Sequence, residues 1–345
     1  MTTWLRGLGV AAFAALLATG ARAESLEVTV GYQLIYNPWK VAIAEGVFEK
    51  ETGATIRWVK FDSGAKVINA MASGQVDIAL AGSSPIAAGV SRGVDMQLFF
   101  IQEDIASAEA LVVRNGSGID PADPTTLIGK KVGVPFVSTT HFHMLVALEM
   151  WGIDPDQVTL LNMQPNQIAA AWERGDIDAA FVWDPALGRI KRTGQVMITS
   201  GEITARTGKA TFDGMVVMRA FAEAHPEFMA KFVDIMDRAN ESYRSDPDAW
   251  TPDSPMVKAI VSLVGGNPED VPGVLALYKF PDLEEQASSA WLGGGREANA
   301  VKAIAATSAF LKDQGKLDEV LDDYSRFVTP RYVELALELR KQQRR

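Results

Sequence analysis

The stretch "VINAMASGQVDIALAGSSP", residues 67–85, decides the fold class, because "QIAAAWERGDIDAAFVWDP", residues 167–185, repeats its plan. Each reads as an alanine-rich helix, a glycine that ends it, an aspartate, an alanine-bearing strand and a turn closing on proline. Gly74 matches Gly175, and Asp77 matches Asp178. Glycine takes the left-handed backbone that stops a helix, and a short apolar run behind it reads as a buried strand. Two further runs echo each other: "EALVVR" (109–114) and "DGMVVMR" (213–219), each a short apolar strand led by an acid. They read as a pair of crossings between two lobes.

Outward from these stretches, strand and helix signals alternate. "LEVTVGY", "ATIRWVKF", "VDIALAG" and "MQLFFI" read as strands before residue 105; "KKVGVPF", "VTLLNM", "DAAFVW" and "QVMITS" repeat the scheme after it. Asn37-Pro38 reads as the cap and first residue of one helix over 38–53. Such a βαβ series predicts an α/β fold of two lobes, each a mostly parallel sheet flanked by helices. Residues 24–112 are expected to form the first part of lobe 1 and 113–213 to form lobe 2. Residues 214–345, mostly helical in pattern, return to lobe 1, and the two crossing strands are the expected hinge.

The chain has 345 residues, 48% of them hydrophobic, enough for roughly two domains. Residues 1–23 read as a cleavable signal peptide: Arg6 begins it, "LGVAAFAALLATG" is a short apolar core, and Ala21-Arg22-Ala23 fits the cleavage rule. The apolar run falls short of the roughly 20 residues a membrane span needs. With no cysteine in the sequence, disulfides, thiolate metal sites and lipid attachment at a cleavage-site cysteine are excluded. Beyond the leader, 31 basic residues face 43 acidic ones, a net charge of −12. Nucleic acid and anionic membranes are poor partners for such a surface. The terminal "RKQQRR" reads as cations at a helix C-terminus and a frayed tail.

In open α/β sheets, ligands bind beyond the carboxyl ends of the strands. The segments there are Gln33 to Trp39, Asp62 to Gly64, Ser83-Ser84, Ser138 to Thr140 and Trp183-Asp184. Small hydroxylic residues dominate, with aromatic walls expected from Tyr32, Tyr36, Trp39 and Trp183. Ser138 stands where a strand hands over to a helix and reads as its N-cap. Unpaired N–H groups and the helix dipole there favour an anion without any lysine or arginine. Ser83-Ser84 offers a second such mouth. The acids near the cleft are Glu109, Asp184 and Asp213, and a carboxylate beside an anion site points to a zwitterionic ligand with an ammonium at one end. His141 can donate to the anion or simply pack. A hydrolase using Ser138 and His141 is the alternative of another class, although no G-x-S-x-G elbow surrounds the serine. His141 and His143, spaced i, i+2, do not share a helix face for a metal. No metal or cofactor is expected.

"KFDSGAKVINAMASGQVDIALAGSSP", "SAEALVV", "VGVPFVSTTHF", "NMQPNQIAAAWERGDIDAAFVWDPAL", "HPEF" and "DYSRFVTPRYV" resemble the taurine-binding periplasmic proteins of ATP-driven importers, within the wider sulfonate- and nitrate-binding group. The resemblance covers about residues 28–333. It implies a two-lobed, class II periplasmic-binding-protein fold that closes on its ligand. It also implies the periplasm as location, a membrane permease with a cytoplasmic ATPase as partner, and a monomer that shuttles between ligand and permease. Carried onto this chain, Ser83, Ser84, Ser138, Thr139 and Thr140 would hold the sulfonate; Asp213 and Glu109, with Asp184 as a further candidate, would hold the ammonium. Another alkanesulfonate, a phosphonate or nitrate is the alternative ligand. "LIYNPWK" is more aromatic than the family pattern, which touches pocket size, and "ELALELRKQQRR" runs past the usual family end.

Overall fold

A computed structural model describes residues 25–344, so the expected leader lies outside the described residues. The described residues form ten strands: β1 (Glu27–Gln33), β2 (Thr55–Phe61), β3 (Ile78–Gly82), β4 (Met96–Asp104), β5 (Glu109–Arg114), β6 (Lys131–Val134), β7 (Thr159–Asn162), β8 (Ala179–Trp183), β9 (Gly194–Thr199) and β10 (Phe212–Met218). They build two sheets of the same topology, in the orders β2-β1-β3-β10-β4 and β7-β6-β8-β5-β9. Every residue of the central strands β3 and β8 is buried, as continuous apolar runs covered on both faces require. Edge strands β2 and β7 are half exposed.

One strand in each sheet runs antiparallel to its neighbours: β10 against β3 and β4, and β5 against β8 and β9. These are the two crossing strands. The chain leaves the first sheet by β4 and enters the second as β5, then leaves by β9 and returns as β10. The sequence echo has a common structural cause. Asp77 Oδ2 accepts from the Thr29 N–H at 2.8 Å and Asp178 Oδ2 from the Lys131 N–H at 3.0 Å, so each aspartate ties its sheet at the end away from the cleft. The carbonyls of the same residues receive the crossing strands, through the Met218 N–H (2.9 Å) and the Arg114 N–H (2.8 Å).

Side chains of β5 alternate between two apolar clusters: Leu111 and Val113 pack with Phe181 and the helix Thr139–Trp151, while Ala110 and Val112 face the other way with Val182. The C-terminal helices cover the first sheet. The helix Asn299–Asp313 packs on the helix Ser83–Ser91, and Arg331–Gln343 packs on Pro226–Ser245.

Three local expectations are corrected. The helix over 38–53 is two helices, Trp39–Ala44 and Val47–Thr52, parted at Gly46, whose φ of +65° interrupts the helical backbone. Asn37 is not a side-chain cap; its Nδ2 donates to Glu103 Oε1 at 3.2 Å. The basic C-terminus does not fray up to residue 343: Arg340 donates to Asp234 Oδ1 at 2.5 Å and to Asp237 Oδ2 at 2.8 Å, pinning the last helix to Pro226–Ser245.

Candidate functional site

Topology alone places two carboxylates in the cleft. Because β5 and β10 run against their parallel neighbours, their first residues lie beside the carboxyl ends of those neighbours. Glu109 pairs with Trp183 at the end of β8, and Asp213 pairs with Gly82 at the end of β3. Both acids line one small cavity, to which the first sheet also brings Gln33 and Gly82, the second brings Trp183, and the helix after β6 brings Thr139.

Three helices begin at this cavity. Gly64 is the first residue of Gly64–Ala72, Gly82 is the N-cap of Ser83–Ser91, and Ser138 is the N-cap of Thr139–Trp151; all three residues line it. A helix start presents unpaired N–H groups and the positive end of the helix dipole, so three of them around one small space favour an anion. Bare backbone at Gly82 is needed for this convergence: a Cβ there would come within 2.7 Å of Thr139 Cγ2 and 3.3 Å of Asp213 Oδ1. Thr139, at the helix start beyond β6 of the second sheet, thus packs directly on the main chain of the first.

The hydroxyls of the "STTH" run are largely used in building the site. Ser138 Oγ accepts from the His141 N–H at 3.0 Å, as an N-cap does, and donates to the Pro135 carbonyl at 2.5 Å. Thr140 Oγ1 lies 2.8 Å from the same hydroxyl. Thr139 Oγ1 donates to Glu109 Oε1 at 2.5 Å, and Ser200 Oγ donates to Glu109 Oε2 at 3.0 Å. The cap satisfies the third N–H of the helix and leaves those of Thr139 and Thr140 as open donors of its first turn. Ser83 Oγ accepts from the Phe212 N–H at 3.4 Å, whereas the buried Ser84 Oγ has no partner among the described residues.

Of the residues expected at the site, Gln33, Glu109, Ser138, Thr139, Trp183 and Asp213 line the cavity, and Ser83, Ser84 and Thr140 are buried in the first turns of the helices behind it. Three others are elsewhere. Trp39 packs among Phe48 and Trp58, with ring centroids at 6.3 and 5.8 Å, because the short helix it starts turns that face to the core. His141 stacks on Phe136 at 4.5 Å, and its Nδ1 accepts from the Val137 N–H at 3.3 Å. Asp184 Oδ1 accepts from the Gly188 N–H at 2.9 Å and closes the turn beyond β8. Sequence reasoning missed Gly82, Ile105 and Tyr278 in the lining. The glycine just before Ser83-Ser84 at a strand end was a usable signal; Tyr278, far along the helical C-terminal part, carried none.

Burial governs the charges here. It pushes Glu109 up to about 8, with the nearby Asp213 adding to the rise and the Thr139 and Ser200 hydroxyls restraining it. It pushes Asp213 up to about 7, against the downward pull of the neighbouring Glu103 and Lys40 side chains. It pushes His141 down to about 4, so this imidazole is neutral. Ser138 meets the backbone of His141 and not its ring, so the serine has no base to activate it. What remains is a small space with oriented N–H donors, a Glu109 carboxyl held protonated near neutral pH and an Asp213 carboxyl that a neighbouring cation would ionise.

Residues 21–251 match the NMT1-like family, and the chain is 42% identical to the taurine-binding periplasmic protein of Escherichia coli (strain K12) over 93% of its own length and 97% of that protein. This chain belongs to the NMT1-like family. It is a solute-binding protein and not an enzyme. A putative aliphatic sulfonates-binding protein of Bacillus subtilis (strain 168) is 28% identical over 64% of this chain and 67% of that relative. Among solved structures, the periplasmic aliphatic sulphonate binding protein SsuA of Escherichia coli aligns with a TM-score of 0.70 at 18% identity, covering 90% of this chain and 99% of that one. The alkanesulfonate-binding protein SsuA of Xanthomonas axonopodis pv. citri, bound to MOPS, aligns at 0.69 and 20% identity, covering 90% and 98%. Both have the two-lobed fold of periplasmic binding proteins.

Proposed function

We propose that this chain captures taurine, a zwitterion with a sulfonate at one end and an ammonium at the other, and delivers it to the membrane permease of an ATP-driven importer. One observation carries the reading: three helix N-termini and two buried carboxylates line the same small cavity. A sulfonate stays ionised at any physiological pH, so fixed N–H donors around Gly64, Gly82 and Thr139 suffice and no titrating base is required. Asp213 receives the ammonium, with Glu109 beside it. Gln33 and Trp183 complete the walls. The name of the 42%-identical relative supports taurine, and the signal-peptide pattern of residues 1–23 supports capture in the periplasm.

A plain alkanesulfonate, as the names of other relatives would have it, or a phosphonate or nitrate, would leave the buried Asp213 with no ammonium to match it, which is costly. A thermal-shift panel of taurine, alkanesulfonates, aminoethylphosphonate, nitrate and sulfate tests the choice. A ligand at about 100 times its Kd adds about 2.7 kcal/mol to stability. Taurine is expected to give the largest shift. No shift with taurine, beside a clear one with nitrate or a plain sulfonate, would overturn the assignment.

A further inference from the structure

Just before the helix Thr139–Trp151 the main chain is strained. Val137 has a φ of +58°, in the left-handed region, and among the described residues only Ala106 shares that region with it and the glycines. A β-branched side chain crowds its own backbone there, so the conformation persists only where the surroundings fix it. Two contacts do so. The Val137 N–H donates to His141 Nδ1 at 3.3 Å, and the His141 ring is steadied by stacking on Phe136, with centroids 4.5 Å apart and planes inclined by 21°. The Val137 side chain packs with Ala88, Leu311 and Leu317, all from the first lobe. On the other side of His141 in sequence, Phe142 meets Phe310 edge-on at 5.2 Å. Phe310 and Leu311 are neighbours in the helix Asn299–Asp313, so this first-lobe helix seats residues on either side of the histidine. Ser138 closes the network, since its hydroxyl joins the His141 N–H to the Pro135 carbonyl. His141 is buried and does not line the cavity.

We infer that His141 is a positioning residue for the anion end of the cavity: its Nδ1 locks Val137 in the left-handed turn, which sets the direction of the first-turn N–H groups of Thr139 and Thr140 and seats Val137 on the first lobe. The inference rests on the proposed capture of a sulfonate at these helix starts, and not on how the ammonium is held. The histidine is neutral, so Nδ1 keeps the lone pair that accepts the Val137 N–H and the ring proton sits on Nε2. Val137 stands one residue before the N-cap, so its backbone angles decide where the cap and the first turn point. With the lock removed, Val137 relaxes toward ordinary φ values and the donors leave their aim. Part of the protein then occupies a form that cannot bind, and the apparent Kd rises by the inverse of the competent fraction. The sulfonate end is common to taurine and ethanesulfonate, so both lose alike.

The test is calorimetric titration of the intact protein with taurine and with ethanesulfonate, alongside backbone chemical shifts of the ligand-free protein. His141→Asn puts an amide oxygen about where Nδ1 stood and keeps the acceptor; His141→Gln reaches toward the Nε2 position and loses it. His141→Gln is expected to weaken both ligands equally, by about tenfold, because an N–H loses its partner and a strained residue its hold. His141→Asn is expected to stay within about threefold of the unaltered protein. Glycine adopts a φ of +58° without strain, so on a Val137→Gly background His141→Gln should cost less than about threefold. The Val137 shifts should report left-handed backbone in the unaltered protein and in His141→Asn, and a relaxed one in His141→Gln. A merely structural histidine would lose the same affinity with Asn as with Gln, add independently to Val137→Gly, and leave those shifts unmoved; that result would overturn the inference. Should His141→Gln not fold alone, the double variant decides. Binding equal to that of Val137→Gly sustains the inference, whereas a further tenfold loss or a failure to fold rejects it. If neither ligand binds the unaltered protein, the proposed function fails, and the Val137 shifts still decide the role of His141.

Discussion

On the proposed function, Asp213 is where one side chain decides between ligands that share a sulfonate. It sits at the start of an antiparallel strand, buried, opposite Gly82 and within the lining. Removing its charge while keeping its shape isolates the ammonium contact. Asp213→Asn is expected to weaken taurine by about 1.5–3 kcal/mol, roughly tenfold to a hundredfold, and ethanesulfonate far less, measured by titration calorimetry. Equal loss for both would put the ammonium elsewhere. Glu109 reports on the same space through stability. Its carboxyl, ordinarily at 4.5, is raised to about 8 in the folded protein, so the fold holds a proton that the unfolded chain releases. The stabilisation is full below the ordinary value and is lost as pH rises toward 8. Urea melts of the ligand-free protein at pH 5 and pH 8 are therefore expected to show Glu109→Gln gaining stability relative to the unaltered chain as pH rises; a constant gap would contradict this. At this scale the sequence was readable where chemistry and strand ends coincide, as for Asp213, Glu109 and Ser138. Trp39 and His141 look like site residues by type and position, and only packing turns them into core.

Among the elements, the crossing strands do most to define the site. An acid before a short apolar strand, occurring twice, was legible because antiparallel insertion needs only a brief buried run. What could not be read was that both acids end on one cavity, since that depends on how two sheets face each other. The single helix expected over 38–53 failed at Gly46, where one left-handed residue separates two short helices. The last helix taught the reverse lesson. Its basic end looked like a solvated tail, yet Arg340 reaches Asp234 and Asp237, and Asp237 also receives Arg244 at 3.0 Å. Only the spacing of acids on a helix some 100 positions earlier could have hinted at it. Removing one partner of a buried ion pair leaves the other uncompensated. Arg340→Ala is expected to cost about 3 kcal/mol in chemical denaturation, with taurine affinity unchanged at temperatures where the fold is intact. A loss below about 0.5 kcal/mol, the size of an exposed pair, would show that the network is ornamental.

For the whole molecule, the two lobes of like topology meet with Thr139 at a helix start of one against Gly82 of the other, and the cavity lies between them. A ligand favours such a closed form only by the difference between its affinities for the closed and open forms. Donors and acids drawn from both sheets supply that difference, because an open cleft would keep only half of them on the ligand. The twofold repeat and the alternation of strands with helices were readable from hydrophobic pattern and turn residues; the sheets themselves are mixed, since each takes in one antiparallel crossing strand. Closure was not, because it is set by contacts between residues more than 50 positions apart. The most direct test of the central idea is a crystal structure with taurine bound. The expected density has the sulfonate at the helix starts around Gly64, Gly82 and Thr139, and the amine within hydrogen-bond distance of the Asp213 carboxylate. Taurine lying in the reverse orientation, or outside this cavity, would contradict it.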